Sequence, residues 1–196
     1  MIRNPHTLED SWWDGPERFQ YVNRNVISQV QHEDLYKYIK LFAPNKIGID
    51  IGGERSSDNG RSSWQLEKEP FSLKLNIKEN AADIYARAEK LPFKNETVGY
   101  IVSFHTVEHI RGDLLLTFQE WLRVLVPNGL IGIVMPNKKY FLHNAEEKED
   151  GIYAYHEMEP LELYSIFKKI DNIDIILFNS RENNFDFDII IKKRKT

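Results

Sequence analysis

The chain has no cysteine. That excludes disulfides, thiolate metal sites and a cysteine nucleophile, and it makes the cytoplasm the default compartment. Long apolar runs are missing as well. Mean hydropathy is −0.51, and no stretch approaches the roughly 18 residues of a membrane helix. Met1 to Asp10 hold no apolar core of a signal peptide. Positive charge is in short supply: 26 Lys and Arg stand against 30 Asp and Glu, a formal net charge of −4. A broad phosphate-binding surface needs the opposite balance, so nucleic acid is disfavoured as a partner. The tail Lys192-Lys193-Arg194-Lys195 is basic but short and reads as a solvated end. There is no internal repeat and no low-complexity segment.

What is present suits one domain with a sizeable core. The length is 196 residues, with 41% hydrophobic and 12% aromatic residues. Residues 1–45 form an N-terminal arm and helix. Trp12, Trp13, Phe19 and Tyr21 lie there among charges, either packed on the domain or serving as a lid or partner-binding arm. Val26, Ile27, Val30, Leu35, Tyr38, Ile39 and Phe42 fall roughly at helical spacing, and Pro44 stops that helix.

Residues 46–136 carry the strongest pattern. Ile47, Ile49 and Ile51 mark a short strand with Asp50 near its end, and Gly52 and Gly53 follow at once. A strand, an acid and a glycine turn are the usual entrance to a nucleotide-like cofactor site in an open α/β sheet. Phe71, Leu73, Leu75 and Ile77 alternate as a second strand ending near Asn76, which can hydrogen-bond a ribose hydroxyl. Residues 83–86 read as a third strand, reached by an abbreviated connection. Residues 98–104 are a near-continuous apolar run, as expected of a central strand covered on both faces. Residues 112–125 predict a helix with Leu115, Leu116, Phe118, Leu122 and Leu125 as its buried stripe. Pro127-Asn-Gly129 is a turn, and residues 130–135 are another buried strand.

Residues 137–196 begin with a polar loop, 137–155, whose Glu146, Glu147, Glu149 and Asp150 read as a solvated face. The loop lies over the carboxyl edge of the sheet, where substrate contacts concentrate. A helix over 160–170 follows. Two closing strands, 173–178 and 185–191, are joined so briefly that they pair antiparallel.

Four stretches in order resemble the class I methyltransferases that use S-adenosylmethionine, in their small, compact form. They are Ile49-Asp-Ile-Gly-Gly53, Ala82-Asp-Ile-Tyr-Ala-Arg-Ala-Glu-Lys-Leu-Pro-Phe93, Ile101-Val-Ser-Phe-His-Thr-Val-Glu-His109 and Glu120-Trp-Leu-Arg-Val-Leu-Val-Pro-Asn-Gly129. The chain departs from the family at Glu54 and Ser56, where glycine is usual, at Asn76, where an acid is usual, and at Gly99. The resemblance implies an α/β, Rossmann-like doubly wound sheet of about seven strands, mostly parallel, with an antiparallel C-terminal hairpin. It implies S-adenosylmethionine as cofactor. Asp50, Gly52, Gly53 and Glu54 would line its methionine and ribose side and Asn76 the ribose. Ala88 and Glu89 would sit beside the adenine, with Phe104 and His105 near the sulfonium.

Such an enzyme needs no acid for its neutral leaving group, but an amine or hydroxyl nucleophile can need a base. Histidines His105, His109, His143 and His156 lie on or after the fourth strand's carboxyl end, and His109 and His156 are the catalytic candidates. Each also has a plainer reading, His109 as a packing residue tied to Glu108 and His156 as a surface loop residue. Glu108, His109, His143 and His156 fit no compact metal spacing, so no metal is expected. The expected partner is a small-molecule acceptor, for which a sugar or nucleotide-sugar is the mildest guess. Trp12, Trp13, Tyr140, Phe141, Tyr153 and Tyr155 could stack on such a ring or pack the loops. A catalytically silent domain of the same fold, acting as a binding or regulatory module, is the second reading. A different nucleotide-using enzyme on a doubly wound sheet, such as a nicotinamide oxidoreductase, is the third, and the Leu-Pro-Phe segment and terminal hairpin speak against it.

Overall fold

The computed structural model describes residues 35, 37–39, 41–42, 47–53, 72–77, 82–140, 154–180 and 186–195. The aromatic arm, Pro44, Glu54, Phe71, His143 and the acidic run at 146–150 lie outside the described residues.

Seven strands form one sheet. They are β1 (Gly48–Ile51), β2 (Ser72–Asn76), β3 (Ile84–Tyr85), β4 (Val98–Phe104), β5 (Leu125–Pro136), β6 (Ile173–Asn179) and β7 (Asp186–Lys193). Their order across the sheet is β3-β2-β1-β4-β5-β7-β6. The first five run parallel. β7 is inserted antiparallel between β5 and β6. The strand order reverses beside β1, between β1 and β4, and at such a switch point the carboxyl ends of neighbouring strands leave a crevice.

Both faces of the sheet are covered, which is why the central strands read as continuous apolar runs. Ile49, Ile51, Ile101, Ile131, Ile133, Phe187, Ile189 and Ile191 pack on one side with helices α1 (Leu114–Val124) and α2 (Pro160–Phe167). Phe118 of α1 stacks on Phe167 of α2 at 4.5 Å between ring centroids. Tyr100, Val102, Leu130 and Ile190 point the other way, toward helical Leu35 and Ile39. Each such side chain, fully buried, contributes about 2 kcal/mol of transfer free energy.

The buried stripe of α1 differs from the one the spacing predicts. Leu114, Thr117, Phe118, Trp121, Leu122 and Val124 are inward, whereas Leu116 is 65% exposed. Trp121 decides this orientation, because its indole Nε1 donates to the Ala88 carbonyl at 3.0 Å inside the protein. The turn at Pro127-Asn-Gly129 is absorbed into β5 as an irregularity. Val98 pairs with Leu125 and Tyr100 with Leu130, so residues 126–129 bow out, with Asn128 at φ 62°. Nor is the basic tail wholly a solvated end. Lys193 belongs to β7 and is buried, donating to the Leu125 carbonyl at 2.8 Å and to Glu96 Oε1 at 3.0 Å. Ile77 lies beyond the end of β2 and is exposed rather than sharing the buried face of Leu75. Among the described residues, no helix is long and apolar enough to cross a membrane.

Candidate active site

The glycine turn closes the carboxyl end of β1. Gly52 sits at φ +86°, a conformation that side chains resist, and its N–H donates to the Leu75 carbonyl at 2.8 Å. A Cβ at Gly52 would collide with the Thr106 side chain, and one at Gly53 would stand 2.6 Å from Asp50 Oδ2. Asn76 braces the turn from β2: its Nδ2 donates to the Gly52 carbonyl at 3.1 Å and to the Gly53 carbonyl at 3.4 Å.

Asp50 lies directly across from Lys74 in the β1–β2 register. Lys74 Nζ reaches Asp50 Oδ2 at 2.5 Å, and both residues are buried. Burial pushes the Asp50 carboxyl above its ordinary range, and the Lys74 ammonium offsets only part of that rise.

The segment 88–95 is locked to α1. Ala88 is buried with its carbonyl on Trp121. Glu120 accepts from the Leu91 N–H at 2.8 Å and from Arg123 Nε at 2.7 Å. Arg123 in turn donates to the Phe93 carbonyl at 2.9 Å and to Asn95 Oδ1 at 2.7 Å. These contacts hold the Glu120 carboxyl below its ordinary range, chiefly through the Arg123 hydrogen bond. Glu89 pairs with Arg87 at 2.6 Å and lies against Gly112.

Past the end of β4 the chain makes a 3₁₀ turn over Val107–His109. Phe104 closes the strand, half-buried beside the Tyr100 cluster. His105 adopts φ +48°, held by its N–H on the Val134 carbonyl at 3.0 Å. Its ring stands between two carboxylates that are each only 1% exposed. Nε2 is 3.3 Å from Asp186 Oδ1, and Nδ1 is 4.0 Å from Glu108 Oε1. His109 approaches the same Glu108 oxygen at 3.8 Å. Residues 155 and 156 are strapped here by their N–H groups on the Glu108 carbonyl, at 2.7 and 3.1 Å. His156 Nε2 lies 3.0 Å from the Gly112 carbonyl, so that nitrogen carries the ring proton.

The structure thus joins Asp50, Gly52, Gly53 and Asn76 in one hydrogen-bonded corner, with Thr106 against Gly52. It brings His105 and His109 together through Glu108, and His156 beside Gly112. Asp186 is the residue that sequence spacing does not single out. In Phe-Asp-Phe-Asp it occupies the polar place of an alternating strand, which suggests a solvent-facing side chain. Insertion of β7 between two neighbours buries it instead. Among the described residues, no three metal-ligating side chains converge.

The methyltransferase-domain family model matches residues 58–133. An S-adenosylmethionine-dependent methyltransferase of Thermotoga maritima is 18% identical; the likeness covers 93% of this chain and 100% of that one, with a TM-score of 0.54. One from Archaeoglobus fulgidus is 16% identical over 85% of this chain and 94% of that one, with a TM-score of 0.60. The geranyl diphosphate C-methyltransferase of Streptomyces coelicolor, solved with Mg²⁺, geranyl diphosphate and S-adenosyl-L-homocysteine, is 13% identical over 85% of this chain and 78% of that one, at 0.59. At such identities the likeness is one of fold. No curated protein matches the chain by sequence. The matched residues and the seven-stranded sheet give the chain the fold shared by these S-adenosylmethionine-dependent methyltransferases. The glycine corner lies before the matched residues, so its assignment stands on geometry.

Proposed function

We propose that the chain, as a single domain, transfers a methyl group from S-adenosylmethionine to a small molecule, with sugars and nucleotide-sugars the first class to test. The observation that carries this is the corner around Gly52. It carries no side chain, its φ is reserved for glycine, and it lies at the carboxyl end of β1, beside the switch point between β1 and β4. Asp50, Gly52, Gly53 and Asn76 would hold the methionine and ribose end, Ala88 and Glu89 the adenine, and Phe104 and His105 the sulfonium side. Glu54 belongs to the same proposed set by resemblance. When bound, S-adenosylmethionine supplies an electrophilic methyl group on a sulfur that leaves uncharged. The protein's part is alignment, which can remove several kcal/mol of the barrier.

A second reading, a silent domain that binds without transferring, is favoured by one observation. The Asp50 carboxylate is engaged by Lys74, and the Asn76 amide by the turn itself. The two readings separate by S-adenosylhomocysteine release, measured with sugars, nucleotide-sugars and small amines as acceptors. Acceptor-stimulated release supports transfer. Cofactor binding with no stimulated release across the panel supports the silent domain.

A further inference from the structure

Arg111 differs from the other described arginines. Arg87, Arg123 and Arg194 each hold a carboxylate, at 2.6, 2.7 and 2.7 Å. Arg111 makes no ion pair among the described residues. Instead this exposed residue sets its guanidinium over the Tyr155 ring, with Cζ 5.6 Å from the centroid. Tyr155 keeps 43% of its surface exposed, yet its backbone is pinned. The N–H groups of residues 155 and 156 donate to the Glu108 carbonyl at 2.7 and 3.1 Å, and His156 Nε2 lies 3.0 Å from the Gly112 carbonyl. These bonds lock the strap around Tyr155 to the turn that carries Arg111, and none of them uses the Tyr155 ring or the Arg111 guanidinium. Arg87 stands near as well. Its guanidinium is held above the ordinary arginine range chiefly by Glu89 and in small part by Tyr155. Glu89 engages Nη2 of Arg87, one group among the five N–H donors of a guanidinium.

We propose that the methyl acceptor is an anion, and that Arg111, steadied on Tyr155, binds its phosphate or carboxylate group with Arg87 beside it. This rests on the methyltransferase reading above. It narrows that reading from sugars and nucleotide-sugars at large to those that carry an oxyanion. A guanidinium is planar, stays charged, stacks on aromatic faces and presents a fork of N–H donors that matches a carboxylate or phosphate. Holding the ring by backbone bonds fixes the guanidinium's platform in advance, which reduces the ordering that binding would otherwise cost. The place suits an acceptor. Arg111 follows the 3₁₀ turn beyond β4, and Thr106 at the start of that turn packs against Gly52 of the cofactor corner. The nearby acids have other engagements. Glu89 pairs with Arg87, and Asp113 caps α1 by accepting from the Leu116 N–H at 3.0 Å.

The first test needs no methyl transfer. Arginine ¹H–¹⁵Nε spectra are followed while the chain is titrated with glucose 1-phosphate, uridine diphosphate glucose, glucuronate or glucose. Arg111→Met identifies the Arg111 signal by its loss. The proposal expects a saturable shift of that signal with at least one of the anions and none with glucose at the same concentration. The probe that shifts it distinguishes phosphate from carboxylate. No shift with any anion up to millimolar concentration, or an equal shift with glucose, overturns the proposal. The second test uses the acceptor panel of the release assay. Anionic members should stimulate S-adenosylhomocysteine release, and their neutral counterparts should not. With an anionic acceptor, Arg111→Met is expected to raise KM about tenfold or more, the loss of a charge-assisted hydrogen bond, with kcat within about threefold. Arg111→Lys should recover part of the lost affinity, since it restores the charge without the fork. In both variants S-adenosylmethionine affinity by calorimetry should stay within about threefold of wild type. An unchanged KM in Arg111→Met, or neutral acceptors used as well as anionic ones, overturns the anion assignment even if methyl transfer itself is confirmed. A chain that binds no S-adenosylmethionine refutes the methyltransferase reading instead, and the spectral titration then judges the anion site separately.

Discussion

Gly52 and the Asp50–Lys74 pair show how single residues shape the candidate site. At Gly52 the φ of +86° and the neighbouring Thr106 exclude any side chain. Gly52→Ala should lower stability by about 2 kcal/mol or more in urea unfolding. Adding Thr106→Gly should restore part of that loss, because the collision is with the Thr106 side chain. Simple additivity of the two losses would mean that the turn relaxes by another route. Lys74→Met leaves a buried carboxylate without its cation and should cost about 3 kcal/mol. The double variant Asp50→Asn, Lys74→Met should recover most of it, since a neutral pair pays no charge-burial penalty. Asp50 and the two glycines are legible from the sequence as an acid and a tight turn. Lys74 is not, because its place in an alternating strand reads as a solvent-facing polar residue, and only the register against Asp50 explains its burial.

Among the elements, α1 does more than fill the core. Its Glu120 and Arg123 clamp the 91–95 segment, and Trp121 holds Ala88. Two of the sequence stretches that carry the family resemblance are therefore the two halves of one latch. Arg123→Met should reduce stability by about 1–2 kcal/mol at neutral pH, discounted because the guanidinium is a third exposed. The Glu120 carboxyl is held below its ordinary value of 4.5, so its contribution is present above that pH and fades as pH falls through the folded-state value. Wild type and Arg123→Met should accordingly converge in stability on acidification, and a gap that persists in acid would contradict the latch. The helix and its length follow from spacing alone. Its buried face does not, because the indole hydrogen bond of Trp121 across to Ala88 rotates it away from Leu116.

For the whole molecule, the strands, their parallel arrangement and the terminal hairpin follow from apolar runs and connection lengths. The insertion of β7 between β5 and β6 comes instead from tertiary packing. That insertion buries Asp186, Asp188, Ile189, Ile190, Ile191 and Lys193, and it brings Asp186 to His105. Removing residues 186–196 should leave a chain without cooperative unfolding by near-ultraviolet circular dichroism, since β5 loses its outer neighbour. A truncated chain with native spectra would show that the parallel half folds alone.

All of these readings meet at the corner formed by Asp50, Gly52, Gly53 and Asn76, and a calorimetric titration of the purified chain with S-adenosylmethionine tests it most directly. The account predicts saturable one-site binding in the micromolar range, with S-adenosylhomocysteine competing for the same site. No heat of binding up to millimolar ligand, from a chain shown to be folded, would contradict it.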